Sequence, residues 1–180
     1  MPLTLFLLRH AKSAWDSPSL EDFDRPLSER GRREAEWVAD LIRTRDIRLS
    51  RILCSSAQRT RETLAALLPA FRRDTSIEVT RRLYEAPAER LLTVLREQLL
   101  TVLREQLVTD QAVMLIGHNP GLESLAGLLT GGGEPSLISA LRRKYPPAGL
   151  AQFEFALEQW SDVGPAASRL VAFDVPSHGD

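Results

Sequence analysis

The chain is poor in several things at once. A single cysteine, Cys54, excludes an internal disulfide. It lies in the apolar run RILCSS, which reads as a buried strand thiol and suits a reducing compartment. No run reaches the ~18 consecutive apolar residues that a membrane span needs. The opening MPLTLFLLRH lacks the basic lead and small-residue cleavage site of a signal peptide, so it reads as a first strand. A cytoplasmic protein is the expectation. Net charge is scarce too: 23 Lys and Arg against 24 Asp and Glu leave −1, which gives no global field toward nucleic acid or an acidic membrane. Any phosphate site must therefore be local. The 180 residues suffice for one ordinary domain spanning the whole chain, 1–180.

What is present alternates. Strand-length apolar runs begin at Leu3 (LTLFLL), Arg51 (RILCSS), Ala112 (AVMLIG), Leu150 (LAQFEFAL) and Arg169 (RLVAFDV), mostly separated by helix-compatible stretches. That pattern argues α/β. Ser28 is placed to cap a helix running to about Arg45, a second helix spans about Ala57 to Leu68 before Pro69, and a third starts near Pro120. The last third turns to strands. Runs without polar alternation, LFLL and VMLI, suit central strands covered on both faces, which predicts a three-layer α/β/α sandwich.

Residues 91 to 98 read LLTVLREQ, and residues 99 to 106 repeat them. Two units are too few for a solenoid. At ~100° per residue the copy is rotated by ~80° on a helix. The apolar stripe widens, with Leu91, Leu95 and Val102 near its centre and Leu100 and Leu107 at its edge. Either a duplicated helix is tolerated at a surface, or those leucines form a patch that joins two copies as a homodimer.

The chemistry gathers at strand ends. LLRHAKSAWD sets Arg9 and His10 at the end of the first strand, and Gly117-His118 ends the AVMLI strand. In open α/β sheets, ligands bind beyond the carboxyl ends of strands. The third histidine, His178, lies in a polar tail. Zinc would want a third nitrogen, sulfur or carboxylate ligand, whereas the neighbours here are arginines, which repel a cation, so no metal is expected. An arginine fork with histidines suits phosphate. In CSSAQRTRET, Arg59 falls in the first turn of the second helix, either solvated or turned into the same crevice, where the helix N-terminus adds free amides.

These strings, in order, carry a resemblance: Arg9, His10, Ser13, Trp15 and Asp16; LSERG at 27 to 31; Ser55 to Thr63; and GHNPG at 117 to 121. They resemble the histidine phosphatase superfamily with its phosphoglycerate-mutase-like fold and mostly parallel central sheet. RHAKS, DRPL and GHNPG look most like its SixA-type phosphohistidine phosphatases. Two departures stand out. Ala11 and Lys12 follow the histidine where the superfamily usually has glycine and often an acid, and the octad repeat falls outside the family pattern.

The resemblance implies that His10 attacks phosphorus in line as a neutral imidazole, which an ordinary pKa of ~6.5 beside arginines allows. It implies that Arg9, Arg59 and His118 hold the three non-bridging oxygens, without magnesium or other cofactor. Glu85, in RRLYEAP, sits where a catalytic acid comes in larger members, with Asp16 and Asp24 nearer the first motif. Arg25 either reaches the phosphate or its carrier, or pairs with a neighbouring aspartate. Lys12, Ser13 and Asn119 are candidate substrate-binding residues. Three readings follow: a phosphatase acting on phosphohistidine in a signalling protein, a small-molecule phosphomonoesterase, and a phosphate- or phosphoprotein-binding module without turnover. Glu85 discriminates the first two, because an alkoxide leaving group needs a proton more than an imidazole does.

Overall fold

The computed structural model describes residues 3–15, 19–102 and 111–177. Its centre is β1 (Leu3–Arg9), whose unbroken apolar run is buried on both faces. Side chains alternate across a strand, so Leu3, Leu5 and Leu7 enter one core while Phe6 and Leu8 enter another. Each buried leucine contributes roughly 1.5–3 kcal/mol.

Around β1 the sheet has seven strands in the order β3-β2-β4-β1-β6-β7-β5, with β2 at Arg51–Ser55, β3 at Ser76–Thr80 and β4 at Ala112–Gly117. The remaining strands are β5 (Thr130–Gly133), β6 (Leu150–Phe155) and β7 (Ser168–Asp174). Strands β3, β2, β4 and β1 pair in parallel, β1–β6 and β6–β7 are antiparallel, and β7–β5 is parallel again. The sheet is thus mixed and mostly parallel.

Helices cover both faces. Helix α1 (Glu29–Thr44) buries Ala35, Val38, Ala39 and Ile42, spaced to form one stripe, and with α2 (Gln58–Leu67) packs on Phe6, Leu8, Ile52, Met114 and Ile116. On the other face, α3 (Ala88–Val102), α4 (Gly121–Leu129) and α5 (Pro135–Arg143) cover Leu5, Leu7, Leu53, Val113 and Leu115. Three layers result, as the uninterrupted apolar strands predicted.

The helix starts follow local chemistry. The Ser28 hydroxyl accepts from the Gly31 amide. Gly31 also lets the chain after β1 lie against α1, since a Cβ there would stand 2.0 Å from the Lys12 carbonyl oxygen. Gly121 does the same on the other face, with the Ala86 carbonyl oxygen 1.9 Å from where a Cβ would be.

Two expectations need amendment. The last third is not given over to strands: α4 and α5 lie in it, α5 opened by Pro135 at its first turn. Strands β3 and β5 were not foreseen. Strand β3 is a largely exposed edge of mixed polarity, and β5 is Thr-Gly-Gly-Gly, without side chains to form an apolar pattern. In the octad repeat, Leu91 and Leu95 are buried in α3 as expected. The side chains of Leu100, Val102 and Leu107, and with them the suggested dimer patch, lie outside the described residues, as do Asp16 and His178. Among the described residues no helix is long and apolar enough to cross a membrane.

Candidate functional site at the carboxyl edge of the sheet

Residues from four parallel strands converge at one edge. Strand β1 ends in Arg9 and leads into His10, whose amide donates to the Gly117 carbonyl at the end of β4 (3.1 Å). Residue 118 follows directly, so the His10 and His118 rings lie 5.2 Å apart between centroids. Strand β2 delivers Ser55 and then α2, which carries Arg59 in its first turn. After β3 comes a 3-10 turn, Arg81–Leu83, which leads into Tyr84, and that ring stands edge-on to His118 at 5.4 Å.

The His10 ring is fixed in one tautomer from both sides. Nδ1 lies 2.8 Å from the Ala11 carbonyl, which can only accept, so Nδ1 carries the proton. Arg59 Nε donates to Nε2 at 3.3 Å, and a guanidinium can only donate, so Nε2 presents its lone pair. Burial, together with the His118, Arg59 and Arg9 charges, pulls the His10 pKa down to about 3. The ring is neutral at any ordinary working pH.

His118 is equally suppressed, to about 3, by burial first and then by Arg59 and Arg9. Its Nε2 lies 2.7 Å from the Ser55 hydroxyl. Its Nδ1 is buried without a hydrogen-bond partner, and so is Arg9 Nε. Arg9 is held from behind: its Nη1 donates to the Tyr145 carbonyl (2.7 Å), and burial lowers its pKa. The α2 end is tied to the nucleus of the site by a relay. The Ala11 amide donates to Thr63 Oγ1 (3.1 Å), whose hydroxyl donates to the Arg59 carbonyl (2.7 Å).

His10, Arg9, Arg59 and His118 are therefore brought together. Glu85 is exposed, has a φ of 49°, and borders a cavity of about 420 Å³ that His118 and Asn119 also line. Asn119 donates to Glu123 Oε2 (3.0 Å) and to the Tyr145 carbonyl (3.1 Å), bracing its own loop. Lys12 and Ser13 line a separate groove of about 540 Å³ with Trp15 and Arg32. Arg25 takes the neighbouring-aspartate alternative: it pairs with Asp22 (2.7 Å) and stacks over Trp15, 3.5 Å from the ring centroid. Asp24 is exposed.

Sequence reasoning missed Asp22, Tyr84 and Ser55 as members of the site. Asp22 Oδ2 accepts from Arg59 Nη2 (2.9 Å) and from the Tyr84 hydroxyl (2.7 Å). Burial opposes the Asp22 charge, but the bonds from Tyr84 and Arg59 and the charges of Arg59 and Arg25 outweigh it and hold the carboxyl at about 2. The signal available was Asp22 three residues before Arg25, for which pairing with a neighbouring aspartate is one of the two alternatives. Among the described residues, no group of three or more His, Cys, Asp or Glu side chains gathers as a metal site would require.

A neutral histidine with an unprotonated Nε2, ringed by two arginines and a second histidine, defines a class. The profile of the histidine phosphatase superfamily (branch 1) matches residues 5–130, and the chain belongs to that superfamily of phosphatases. It is similar to an uncharacterized protein of Mycobacterium tuberculosis, 32% identical over 171 residues that cover 94% of this chain and 99% of that one. A solved structure described as a candidate phosphohistidine phosphatase SixA from Agrobacterium tumefaciens is 36% identical, with a TM-score of 0.77 over 98% of this chain and 100% of the other. A second such structure, from Nakamurella multipartitia, shares the fold at 22% identity, with a TM-score of 0.80 over 99% and 98% of the two chains.

Proposed function

We propose that this chain dephosphorylates phosphohistidine in a cytoplasmic signalling protein, through a covalent phosphohistidine on His10. The observation that carries the proposal is the single tautomer of His10, neutral and with Nε2 unprotonated among cationic groups. Nε2 attacks phosphorus, a P–N bond forms, and the bond to the leaving imidazole breaks, the imidazole taking a proton from solvent. Water then attacks the phosphorus, and His10 departs to release inorganic phosphate. Arg9, Arg59 and His118 hold the non-bridging oxygens, and the partnerless Arg9 Nε and His118 Nδ1 are the free positions they bring to that task. The 36%-identical structure described as a candidate phosphohistidine phosphatase supports the choice of substrate. Lys12 and Ser13 would meet the carrier of the phosphoryl group in their separate groove.

The test is hydrolysis of phosphohistidine and of p-nitrophenyl phosphate by wild type and His10→Ala with EDTA present, followed by an acid-labile label trap. Loss of turnover in the variant and a trapped label on wild type are expected. Full activity of His10→Ala overturns the assignment, and no turnover by wild type favours a phosphate-binding module. One observation favours a second reading, a phosphomonoesterase: Glu85 lines the same cavity as His118, and in this reading it protonates the leaving alkoxide. Glu85→Gln then lowers ester hydrolysis and leaves phosphoramidate hydrolysis near wild type.

A further inference from the structure

Each of the three nitrogens of the Arg59 guanidinium already donates one of the group's five N–H bonds. Nε faces His10 Nε2 at 3.3 Å, Nη1 donates to the Asp22 carbonyl at 2.6 Å, and Nη2 donates to Asp22 Oδ2 at 2.9 Å. The same Oδ2 accepts from the Tyr84 hydroxyl at 2.7 Å, while Oδ1 accepts from Arg25 Nε at 3.0 Å and lies 2.7 Å from Arg25 Nη2. An anion held by two guanidinium groups and a phenol is held as a phosphoryl group would be. An incoming phosphoryl cannot use the Nη2 hydrogen held by Asp22 Oδ2 until the carboxylate releases it, and it meets a like charge at that nitrogen.

We propose that Asp22 is a positioning residue whose carboxylate occupies the Arg59 Nη2 donor in place of the phosphoryl group, and that carboxylate and phosphoryl exchange there in every catalytic cycle. The proposal rests on the phosphoryl-binding reading of this pocket. Asp22 belongs to the short 3-10 turn Asp22–Asp24, which buries none of its residues and is held by the polar contacts just named and by the Phe23 ring against Tyr84 and Arg81. The side chain is 44% exposed, and solvent screening keeps each of those contacts modest. Release is therefore cheap on entry of a dianion, whose charge is twice that of the carboxylate. On exit the carboxylate recaptures Arg59 and helps to expel inorganic phosphate. Asp22 stays ionised at working pH, so the exchange is one anion for another and not a protonation.

A residue that merely braces Arg59 would weaken phosphate binding when removed, whereas a competitor would strengthen it. Calorimetric titration of wild type, Asp22→Asn, Asp22→Ala and Tyr84→Phe with inorganic phosphate and with orthovanadate separates the two. Both Asp22 variants are expected to bind about tenfold more tightly, which is ~1.4 kcal/mol, and phosphate to inhibit them at correspondingly lower concentration. Tyr84→Phe, which removes one of the bonds to Oδ2, is expected to shift affinity two- to threefold in the same direction. Equal or weaker binding by the Asp22 variants overturns the proposal. Binding by none of the proteins overturns it together with the pocket reading. Tighter binding without phosphohistidine turnover upholds it and overturns the substrate assignment alone.

Discussion

Strands β3, β2, β4 and β1 each hand polar side chains to the same edge of the sheet: Tyr84 and Glu85 after β3, Ser55 and Arg59 after β2, His118 after β4, Arg9 and His10 at the end of β1. The other flank, β6, β7 and β5, hands over none of these. What it contributes, just ahead of β6, is the main-chain carbonyl of Tyr145 that holds Arg9. For β6 the difference follows from strand direction. Parallel strands pool their carboxyl ends, each followed by a loop free to carry function, while antiparallel β6 brings its amino end there, with Leu150 opposite Leu8. One flank is chemistry and the other is buttress.

Variants on each flank should therefore separate in kind. Arg59→Ala is expected to lower kcat/KM by about 10²–10³ in steady-state hydrolysis, the loss typical of one donor to a developing oxyanion. Phe155→Ala, on the buttress, removes a fully buried ring packed edge-on against Trp160. It should cost ~3–5 kcal/mol in denaturant unfolding while the folded fraction keeps wild-type kcat. A matching fall in kcat per folded molecule would break the division. Gly121→Ala tests the seam between the histidine loop and the Ala86 carbonyl: about 1–3 kcal/mol of stability and a several-fold drop in kcat together.

A last effect is in pH. Both rings are neutral when folded, with pKa values near 3, but take up a proton in the unfolded chain below their ordinary 6.5. The unfolded state thus binds more protons, so this contribution to stability is complete above pH 6.5 and is lost as pH falls toward 3. Ring chemical shifts of His10 and His118 that stay those of neutral imidazole from pH 7 to pH 5 would bear this out.

The parallel flank was largely legible in the sequence, because β1, β2 and β4 are uninterrupted apolar runs with a charged or polar residue placed just beyond each end. Arg9, His10 and His118 could be gathered on that ground, whereas the spacing left Arg59 open between solvent and the crevice and only the family resemblance set it among them. Strand β5 was illegible for a packing reason: Gly131 lies so close to Ala166 that a Cβ would stand 2.0 Å from its carbonyl oxygen, and a strand of glycines has no pattern to read. Asp22 was missed for another reason. Its partners Arg59 and Tyr84 lie 37 and 62 residues away, and no local spacing announces a contact made across loops.

Cys54 gives the site an unexpected chemical temperament. The thiol is fully buried in β2, and burial pushes it up to about 12, so it holds its proton and meets no oxidant. With nitrogen and not sulfur proposed as the attacking atom, hydrogen peroxide finds no thiolate to convert to sulfenic acid. Such a catalyst lacks the reactive thiolate through which peroxide silences cysteine-based phosphatases.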